Sequence, residues 1–345
     1  MAVVRSKAPL RISLAGGGTD VSPYPEERGG AVLNCTIDKF AYVTLKVDEH
    51  GPPSAHVHSL DYNLSVDYAR PEDLTYNGEL DLVKAALRVL RPSGNGSGTY
   101  DLFIHSDAPP GTGLGTSSTM SVALVGVFQR YLRQNWTPYE VAELAYRIER
   151  EELGFKGGRQ DQYAAAFGGF NFMEFHKDRT IVNPLRIPPD VLNELAYRLL
   201  LTYTGTGHYS NDIIERQQRS FADKSGTTSA ALDATKQLAI DMKNELVRGN
   251  IDAMGTLLDR GWQLKKQFTE GISNPRIDGL YDRARAAGAL GGKLVGAGGG
   301  GYLLFLCDQD RKNNVAKAVE GAGGRVVEMT LEMSGVQSWL VRTPE

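Results

Sequence analysis

Cysteine and long apolar runs are both scarce in this chain. Its 345 residues contain only Cys35 and Cys307, each inside an apolar segment, so we expect two buried small side chains and no disulfide framework. No segment approaches the roughly 20 apolar residues of a membrane helix. The first residues also lack the apolar core of a signal peptide. We therefore expect a cytoplasmic protein with no membrane partner.

An excess of charge of one sign is missing as well. Lysine and arginine total 38, aspartate and glutamate total 41, and the two signs are mixed along the sequence to a formal net charge of −3. Because nucleic-acid binding usually requires a basic patch, we expect small molecules and no nucleic acid as partners. The sequence is compatible with either a monomer or a homodimer.

Periodicity and turn residues predict two units, an α/β domain over 1–185 and a second domain over 186–345. In the first, Thr137 and Glu140 form a capping box at the start of a helix. The expected strands are 3–15, 56–60, 64–68 and 100–105, with a strand, turn and strand over 31–47, and the expected helices are 79–90, 117–133, 138–152 and 161–167. In the second, we expect strands at 196–203, 293–295, 302–306, 325–329 and 336–341, and helices at 228–248, 251–269, 276–288 and 311–322. That order predicts an α+β protein with a ferredoxin-like second domain and extra helices.

Glycine is the abundant residue, with 39 copies that cluster in short segments. The strongest cluster, PPGTGLGTSST over 109–119, lies between a predicted strand and a predicted helix. Amide groups at a helix N-terminus attract phosphate, and glycines allow the backbone to wrap it. The alternative is a tight turn with a Ser or Thr cap. No lysine follows the glycines, which excludes a Walker A loop.

A second cluster, Gly296 to Gly301, formally matches G-x-G-x-x-G. A dinucleotide site requires such a loop to open a helix, whereas here a strand follows at 302–306. We therefore expect a glycine hairpin whose bare backbone packs against an active site.

Charged residues accompany two further glycine segments. Arg11 lies in the apolar strand before GGGTD, with Asp20 just beyond it, and Asp161 precedes the small residues AAAFGG. A charge in an apolar strand is usually paired or functional, although a solvated Arg on an edge strand is the alternative. A carboxylate at the start of such a helix is expected to be partly buried and suited to proton or metal chemistry.

Three segments in this order resemble the GHMP kinase superfamily, which includes galactokinase, homoserine kinase and mevalonate kinase. They are APLRISLAGGGTD, PPGTGLGTSS and KLVGAGGGGYLLFL, and together they span nearly the whole chain. The resemblance implies the two-domain GHMP fold with ATP and Mg²⁺ in the cleft between the domains. It also implies a catalytic base, Asp161, kept ionised by Arg11.

The resemblance further implies a set of binding residues. Metal binding falls to Ser118 and Glu149, with Glu151 as the alternative to Glu149. The ATP phosphates would lie along Pro110, Gly111, Gly113, Leu114, Gly115, Thr116, Ser117 and Ser118. The substrate would be held by Gly17, Gly18, Thr19, Asp20, Arg159, Thr206, Gly298 and Gly299.

Two departures from related kinases concern the substrate. Gly17 and Gly18 stand where galactokinase has Glu and His, which disfavours galactose. The GGGTD form is similar to that of D-glycero-D-manno-heptose 7-phosphate kinases and fucokinases, and Arg159 stands where fucokinases have Trp. Because Arg binds a phosphate dianion bidentately, the resemblance favours a sugar phosphate, phosphorylated at its anomeric hydroxyl to a 1,7-bisphosphate for nucleotide-activated heptose in surface glycans.

Several alternatives stay open. The chain could phosphorylate an unphosphorylated sugar such as fucose, or act as a silent sugar or ATP sensor, although intact Asp161 and Arg11 disfavour a sensor. An isoprenoid-pathway kinase would prefer a more basic site. The loop TGTGHYS over 204–210 is a second candidate for the distal phosphate, or an ordinary strand-to-helix connection. His56 and His58 share a strand face, but without a third ligand they indicate a surface strand.

Overall fold

The computed structural model describes residues 2–68, 74–90, 98–205, 210–223 and 226–342, apart from the side chains at 210 and 211. The described residues form two sheets, each packed against helices. Both sheets were expected from the sequence, and the α+β class is confirmed.

The first sheet has nine strands, and its long central pair brings distant segments together. Strand β3 runs parallel to β5, and the other pairs are antiparallel. The path through the sheet is β13-β1-β2-β5-β3-β4, with β6 and β12 on β2, and β7 on β6. The strands are β1 Ala2–Ala15, β2 Gly30–Asp48, β3 Ser54–Ser59, β4 Leu64–Tyr68, β5 Thr99–Ser106, β6 Phe170–Phe175, β7 Thr180–Pro184, β12 Leu331–Glu332 and β13 Gln337–Leu340.

Strand β2 corrects one expectation, because residues 31–47 form part of one continuous strand of 19 residues and no turn divides them. One edge of β2 lies along β1, and the other has three successive partners, β6, β12 and β5. The amide of Asp38, inside the expected turn, donates to the carbonyl oxygen of Thr330, and Asp38 Oδ1 accepts a hydrogen bond from the Thr330 amide. Thr330 is almost 300 residues away from Asp38, so the local sequence could not indicate this pairing.

The helices beside the first sheet carry four of the candidate site residues, Thr116, Ser117, Ser118 and Asp161. They are α1 Tyr24–Arg28, α2 Asp81–Leu90, α3 Thr116–Tyr131, α4 Pro138–Tyr146 and α5 Gln160–Phe167. The capping box of α4 is confirmed, since Thr137 and Glu140 exchange their hydrogen bonds. The regular helix expected to continue to residue 152 ends earlier, and a π-helical segment, Arg147–Glu152, follows. Such wide turns often occur at functional sites.

The second sheet has the order β11-β8-β10-β9 with every pair antiparallel, which is the ferredoxin-like arrangement that the sequence predicts. Its strands are β8 Leu199–Tyr203, β9 Ala289–Leu294, β10 Tyr302–Cys307 and β11 Arg325–Val327. Its helices are α6 Pro189–Arg198, α7 Ser210–Ala222, α8 Gly226–Val247, α9 Ile251–Lys265, α10 Pro275–Ala287 and α11 Lys312–Gly321. Residues 196–198 were expected in a strand but end α6, and α7 was not expected.

The last two strands belong to the first sheet although they follow the ferredoxin-like unit. Strand β13 pairs with β1 and β12 pairs with β2. The division of the chain at 185/186 stays a prediction, and these strands cross it. Within the described ranges, no helix is long and apolar enough to cross a membrane.

One apolar cluster joins the two sheets. It contains Leu10 and Ile12 of β1 together with Leu304 of β10, all fully buried. Leu114 of the glycine loop and Val295 beside β9 belong to the same cluster. This shared core holds the end of β1, the start of α3 and the loop between β9 and β10 next to one another.

Candidate active site

The two glycine loops predicted from the sequence are in direct backbone contact. A Cβ atom added to Gly113 would lie 2.4 Å from the carbonyl oxygen of Val295, and one added to Gly296 would lie 2.3 Å from the Cα atom of Gly113. A Cβ at Gly301 would lie 2.1 Å from the carbonyl oxygen of Thr112. The second loop joins two strands, as expected, and its glycines are needed because no side chain fits between the loops.

The start of α3 offers unoccupied donors to an anion. Its N-cap is Gly115, whose φ of 76° is left-handed and which supplies no capping side chain. The buried hydroxyl of Thr116 has no hydrogen-bond partner among the described residues. An uncapped helix N-terminus with a buried orphan hydroxyl fits a phosphate group. Gly111, Gly113 and the exposed Ser117 complete this loop.

Arg11 and Asp161 form a bidentate ion pair beside the first glycine loop. Arg11 Nε lies 2.7 Å from Asp161 Oδ1, and Arg11 Nη2 lies 2.8 Å from Asp161 Oδ2. The third guanidinium nitrogen, Nη1, donates to the carbonyl oxygen of Gly113 at 2.5 Å. The Arg11 side chain is 6% exposed and that of Asp161 is 18% exposed. The carboxylate therefore faces an opening while the guanidinium holds it in place.

The π-helical segment places Glu149 inside the protein against α3. Ser118 Oγ donates to Glu149 Oε2 at 2.6 Å, and Gln162 Nε2 donates to the same oxygen at 2.7 Å. Glu149 is 2% exposed. One carboxylate and one hydroxyl at the end of a phosphate loop suit Mg²⁺, which keeps several waters and takes further oxygens from substrate phosphates. Glu151 faces a separate cleft with Arg147, so the structure favours Glu149.

Asp20, the last residue of the GGGTD loop, is buried. Its Oδ1 accepts hydrogen bonds from the Gly18 amide at 3.1 Å and from Gln160 Nε2 at 3.2 Å, and its Oδ2 accepts one from the Gln160 amide at 3.1 Å. Burial raises the pKa of Asp20, and the nearby charge of Asp161 raises it further. Asp20 thus lies near Asp161 and, through Gln160, orders the segment that carries it.

The remaining residues of the GGGTD loop are placed differently. Thr19 is fully buried, and its hydroxyl donates to the Gly16 carbonyl at 2.8 Å. A Cβ at Gly17 would approach the Ser13 hydroxyl, and one at Gly18 would lie 2.8 Å from the Phe268 ring. Thr19 therefore maintains the loop, and the two glycines keep neighbouring side chains close to it.

Arg159 lies two residues before Asp161, but its side chain contacts Glu26 and His176 instead of the glycine loops. Its Nη2 donates to Glu26 Oε1 at 2.5 Å, and its Nη1 donates to the carbonyl oxygen of His176 at 3.1 Å. It lines a cleft of about 580 Å³, and no residue of the two glycine loops is among the lining residues. Its role toward a substrate phosphate stays a prediction.

Gly298 and Gly299 face the segment before α10. A Cβ at Gly298 would lie 3.0 Å from the Ile272 Cα atom, and the Gly299 amide donates to the Ile272 carbonyl. Asn274 caps α10 and also donates to the Gly299 carbonyl at 3.3 Å. Thr206, the other substrate-binding residue expected in the second half, lies outside the described residues, as do 207–209 of the same loop.

Sequence reasoning missed several residues at this site. Gln160 and Gln162 flank Asp161 and hold Asp20 and Glu149 respectively. Lys293 is the one charged residue in a strand of apolar residues and glycine. A charge in an apolar strand was the pattern that identified Arg11, and it could have identified Lys293 too.

His56 and His58 hydrogen-bond to Asp67 and Ser65 of the neighbouring strand. The described segments contain no group of three or more His, Cys, Asp or Glu residues placed to hold a metal.

Comparison with known proteins agrees with this geometry. The sequence model of the GHMP kinases N terminal domain matches residues 81–169, and that of the GHMP kinases C terminal domain matches residues 242–325. The chain is 39% identical over 343 residues, 99% of its length and 100% of the relative's, to a D-glycero-alpha-D-manno-heptose 7-phosphate kinase of Campylobacter jejuni subsp. jejuni serotype O:2.

Two solved structures are similar over nearly the whole chain. A D-glycero-D-manno-heptose 1-phosphate kinase from Bacteroides thetaiotaomicron has a TM-score of 0.81 and 35% identity, covering 99% of this chain and 100% of that one. A putative sugar kinase from Campylobacter jejuni has a TM-score of 0.79 and 38% identity, covering 98% of each chain. The fold, the site and these relatives together show that the chain belongs to the GHMP kinases and is an ATP-dependent kinase.

Proposed function

We propose that this kinase transfers the terminal phosphate of Mg²⁺-bound ATP to the anomeric hydroxyl of D-glycero-D-manno-heptose 7-phosphate, giving the 1,7-bisphosphate. The observation that carries the proposal is the Arg11–Asp161 pair, because it places a carboxylate directly beside the phosphate loop. The 39% identity to a heptose 7-phosphate kinase supports the substrate. The product would serve the synthesis of nucleotide-activated heptose for capsule, lipopolysaccharide or other surface glycans.

Asp161 would accept the proton of the attacking hydroxyl. Arg11 uses one lone-pair direction on each carboxylate oxygen, and an ionised carboxylate has about four, so a hydroxyl can still donate to it. A carboxylate that is 18% exposed is within reach of a substrate in the opening. As the sugar oxygen bonds to phosphorus, the bond to the leaving ADP oxygen breaks, and the proton remains on Asp161.

The remaining residues would hold and neutralise the phosphates. The amides at the start of α3 and the Thr116 hydroxyl would donate to phosphate oxygens, and Ser118 with Glu149 would hold Mg²⁺, which supplies positive charge to the phosphates when bound. Arg11 bridges the base and the glycine loop, so it keeps the reacting groups together. Positioning and electrostatics of this kind account for most catalysis of phosphoryl transfer.

Arg159 is our candidate for binding the 7-phosphate of the sugar, but its side chain already has a partner. Its guanidinium now pairs with Glu26, so binding a phosphate requires it to share or leave that carboxylate. We expect Arg159→Ala to raise KM for the sugar phosphate far more than KM for ATP. Equal KM values in the variant and the original protein would remove Arg159 from the site and leave the loop at 204–210 as the candidate.

The experiment that tests the function is ADP release with Mg-ATP and a panel of acceptors. The panel contains heptose 7-phosphate, heptose 1-phosphate, unphosphorylated heptose, fucose, mannose, galactose and mevalonate, with Asp161→Asn as control. Turnover of heptose 7-phosphate alone, lost in the control, supports the proposal, and phosphorus NMR then identifies the new phosphate at C1. Turnover of fucose or unphosphorylated heptose instead would replace the substrate. ATP binding without any turnover would favour a sensor.

A further inference from the structure

Two lysines lie inside the protein behind the glycine loops, and the chemistry above does not use them. Lys265 ends α9, and Lys293 is on β9. They are 8% and 6% exposed respectively. Burying an ammonium group is costly unless an opposite charge compensates for it. Two such groups close together therefore require an explanation.

Neither lysine has an acidic partner within 4 Å in the described part of the chain. Lys265 Nζ donates to the carbonyl oxygens of Leu294 at 2.9 Å and Gly296 at 2.5 Å. Lys293 Nζ donates to the carbonyl oxygen of Leu14 at 3.2 Å. All three acceptors are neutral, so they satisfy hydrogen bonds without balancing charge.

The neighbouring charges are mainly positive. Burial, together with the nearby charge of Arg11, lowers the pKa of Lys293 to about 8. Burial also holds the pKa of Lys265 well below its ordinary value, with additional repulsion from Lys293 and Arg11. Among the described residues, three basic side chains thus lie close enough to repel one another, and Asp161 is paired with Arg11, which favours a ligand that brings negative charge.

The hydrogen bonds also orient the two loops. Arg11 binds the carbonyl of Gly113 and Lys265 binds the carbonyl of Gly296, and these two glycines touch one another. In a trans peptide the N–H group points opposite to the C=O group. The amides of Leu114 and Ala297 are consequently directed away from the cations. Arg11 and Lys265 thereby each hold one peptide group so that its N–H points away from the buried side chains.

We propose that Lys265 and Lys293 are positioning residues for the nucleotide phosphates, holding the peptides at the end of β1 and in the second glycine loop, and supplying buried positive charge that the phosphates balance. The idea rests on nucleotide binding by this same site. It assigns part of the phosphate affinity to the ferredoxin-like unit, although the phosphate loop itself follows β5 of the first sheet.

The test compares ADP with adenosine, because only ADP carries phosphate. Binding of each to the full chain is measured by calorimetry at pH 7.5 for Lys265→Met, Lys293→Met and the control Lys312→Met. Lys312 likewise donates to a backbone carbonyl, that of Tyr197, but lies on α11 and contacts neither glycine loop. We expect each of the first two variants to weaken ADP binding by about tenfold or more, roughly 1.4 kcal/mol. Adenosine binding and the control should stay unchanged.

A pH series supplies an independent readout on the unmodified protein. Bound phosphates favour the charged lysine, so Lys293, with a pKa of about 8 in the free protein, should have a higher pKa in the complex. ADP affinity should therefore be full below pH 8 and fall as the pH rises above it, while adenosine affinity stays flat. Lys293→Arg should retain ADP affinity, and because arginine stays charged above pH 8, its ADP affinity should no longer fall as the pH rises.

The outcomes separate the inference from the function on which it rests. Equal losses of ADP and adenosine affinity in the Met variants, or a flat ADP profile between pH 7.5 and 9.5, would overturn the role of the lysines. If a Met variant does not fold, the pH series and Lys293→Arg decide alone. If the original protein phosphorylates heptose 7-phosphate and the Met variants bind ADP as tightly as it does, only this inference is refuted. Failure of the original protein to bind ADP refutes both the inference and the proposed function.

Discussion

Replacing Gly296 by alanine tests whether backbone contact between the two glycine loops positions the phosphate loop. The added Cβ would lie 2.3 Å from the Cα atom of Gly113 and 2.9 Å from its carbonyl oxygen. Two carbon atoms prefer a separation of about 3.5 Å, so the loops must move apart by about 1 Å. Gly296 also has a φ of 81°, where a residue with a Cβ costs roughly 1–2 kcal/mol.

We expect Gly296→Ala to lower kcat/KM about 100-fold, because a displacement near 1 Å at reacting groups costs about that factor. Stability should fall by roughly 1–3 kcal/mol from the strained backbone and the lost packing. ADP release at varied ATP concentration with a saturating acceptor gives kcat/KM for ATP, and thermal unfolding gives the loss of stability. Measurement at a temperature well below Tm keeps the two effects separate.

Gly279→Ala is the matched control. Gly279 lies in α10 of the same unit, and nothing lies within 4 Å of an added Cβ. Alanine there should retain full activity and raise stability by up to about 1 kcal/mol, since glycine is the poorer helix former. A folded Gly296→Ala protein with unchanged kcat/KM would refute the reasoning, because the loops would then be free to separate without effect.

Three further predictions follow from single contacts. Asp161→Asn should lower kcat by about 10²- to 10⁴-fold, as loss of a general base does, while the Kd for ADP, measured by calorimetry, stays within a few-fold of the original. Glu149→Gln preserves the size of the side chain but not its charge, so a titration of activity against Mg²⁺ should shift to higher concentration; an unchanged titration would remove Glu149 from the metal site. Arg198→Met should destabilise the fold by about 1–3 kcal/mol, because the buried guanidinium bonds Asp252 and a backbone carbonyl. Asp252→Asn should cost under about 1 kcal/mol, since Asp252 is 69% exposed; equal losses of Tm would contradict this.

The parts of the site that sequence predicted are those encoded by local chemistry. A glycine loop before a helix, a capping box at Thr137 and an arginine in an apolar strand each leave a short pattern. The order of strands and helices likewise predicted the ferredoxin-like sheet, whose inner strands β8 and β10 are buried almost throughout. For the loop, the capping box and the strand, the residues that form the pattern are neighbours in the chain.

The features that sequence missed depend on contacts between distant segments. The continuity of β2 depends on β12, almost 300 residues later. Lys265 and Lys293 are separated by 28 positions, and both acquire their setting from carbonyl groups brought together by the fold. The π-helical turn that buries Glu149 keeps the helical periodicity of its neighbours closely enough to be taken for a regular helix.

The pairing of β13 with β1 has a consequence for synthesis of the protein. Val4 lies opposite Leu340, so the strand that carries Arg11 cannot acquire its outer neighbour until the ribosome has reached Leu340. At about 5–20 residues per second, that edge waits roughly 20 to 70 s after its own synthesis. During this interval an unpaired strand is open to association with other chains. Pairing at this edge of β1 thus follows the synthesis of every strand between β1 and β13.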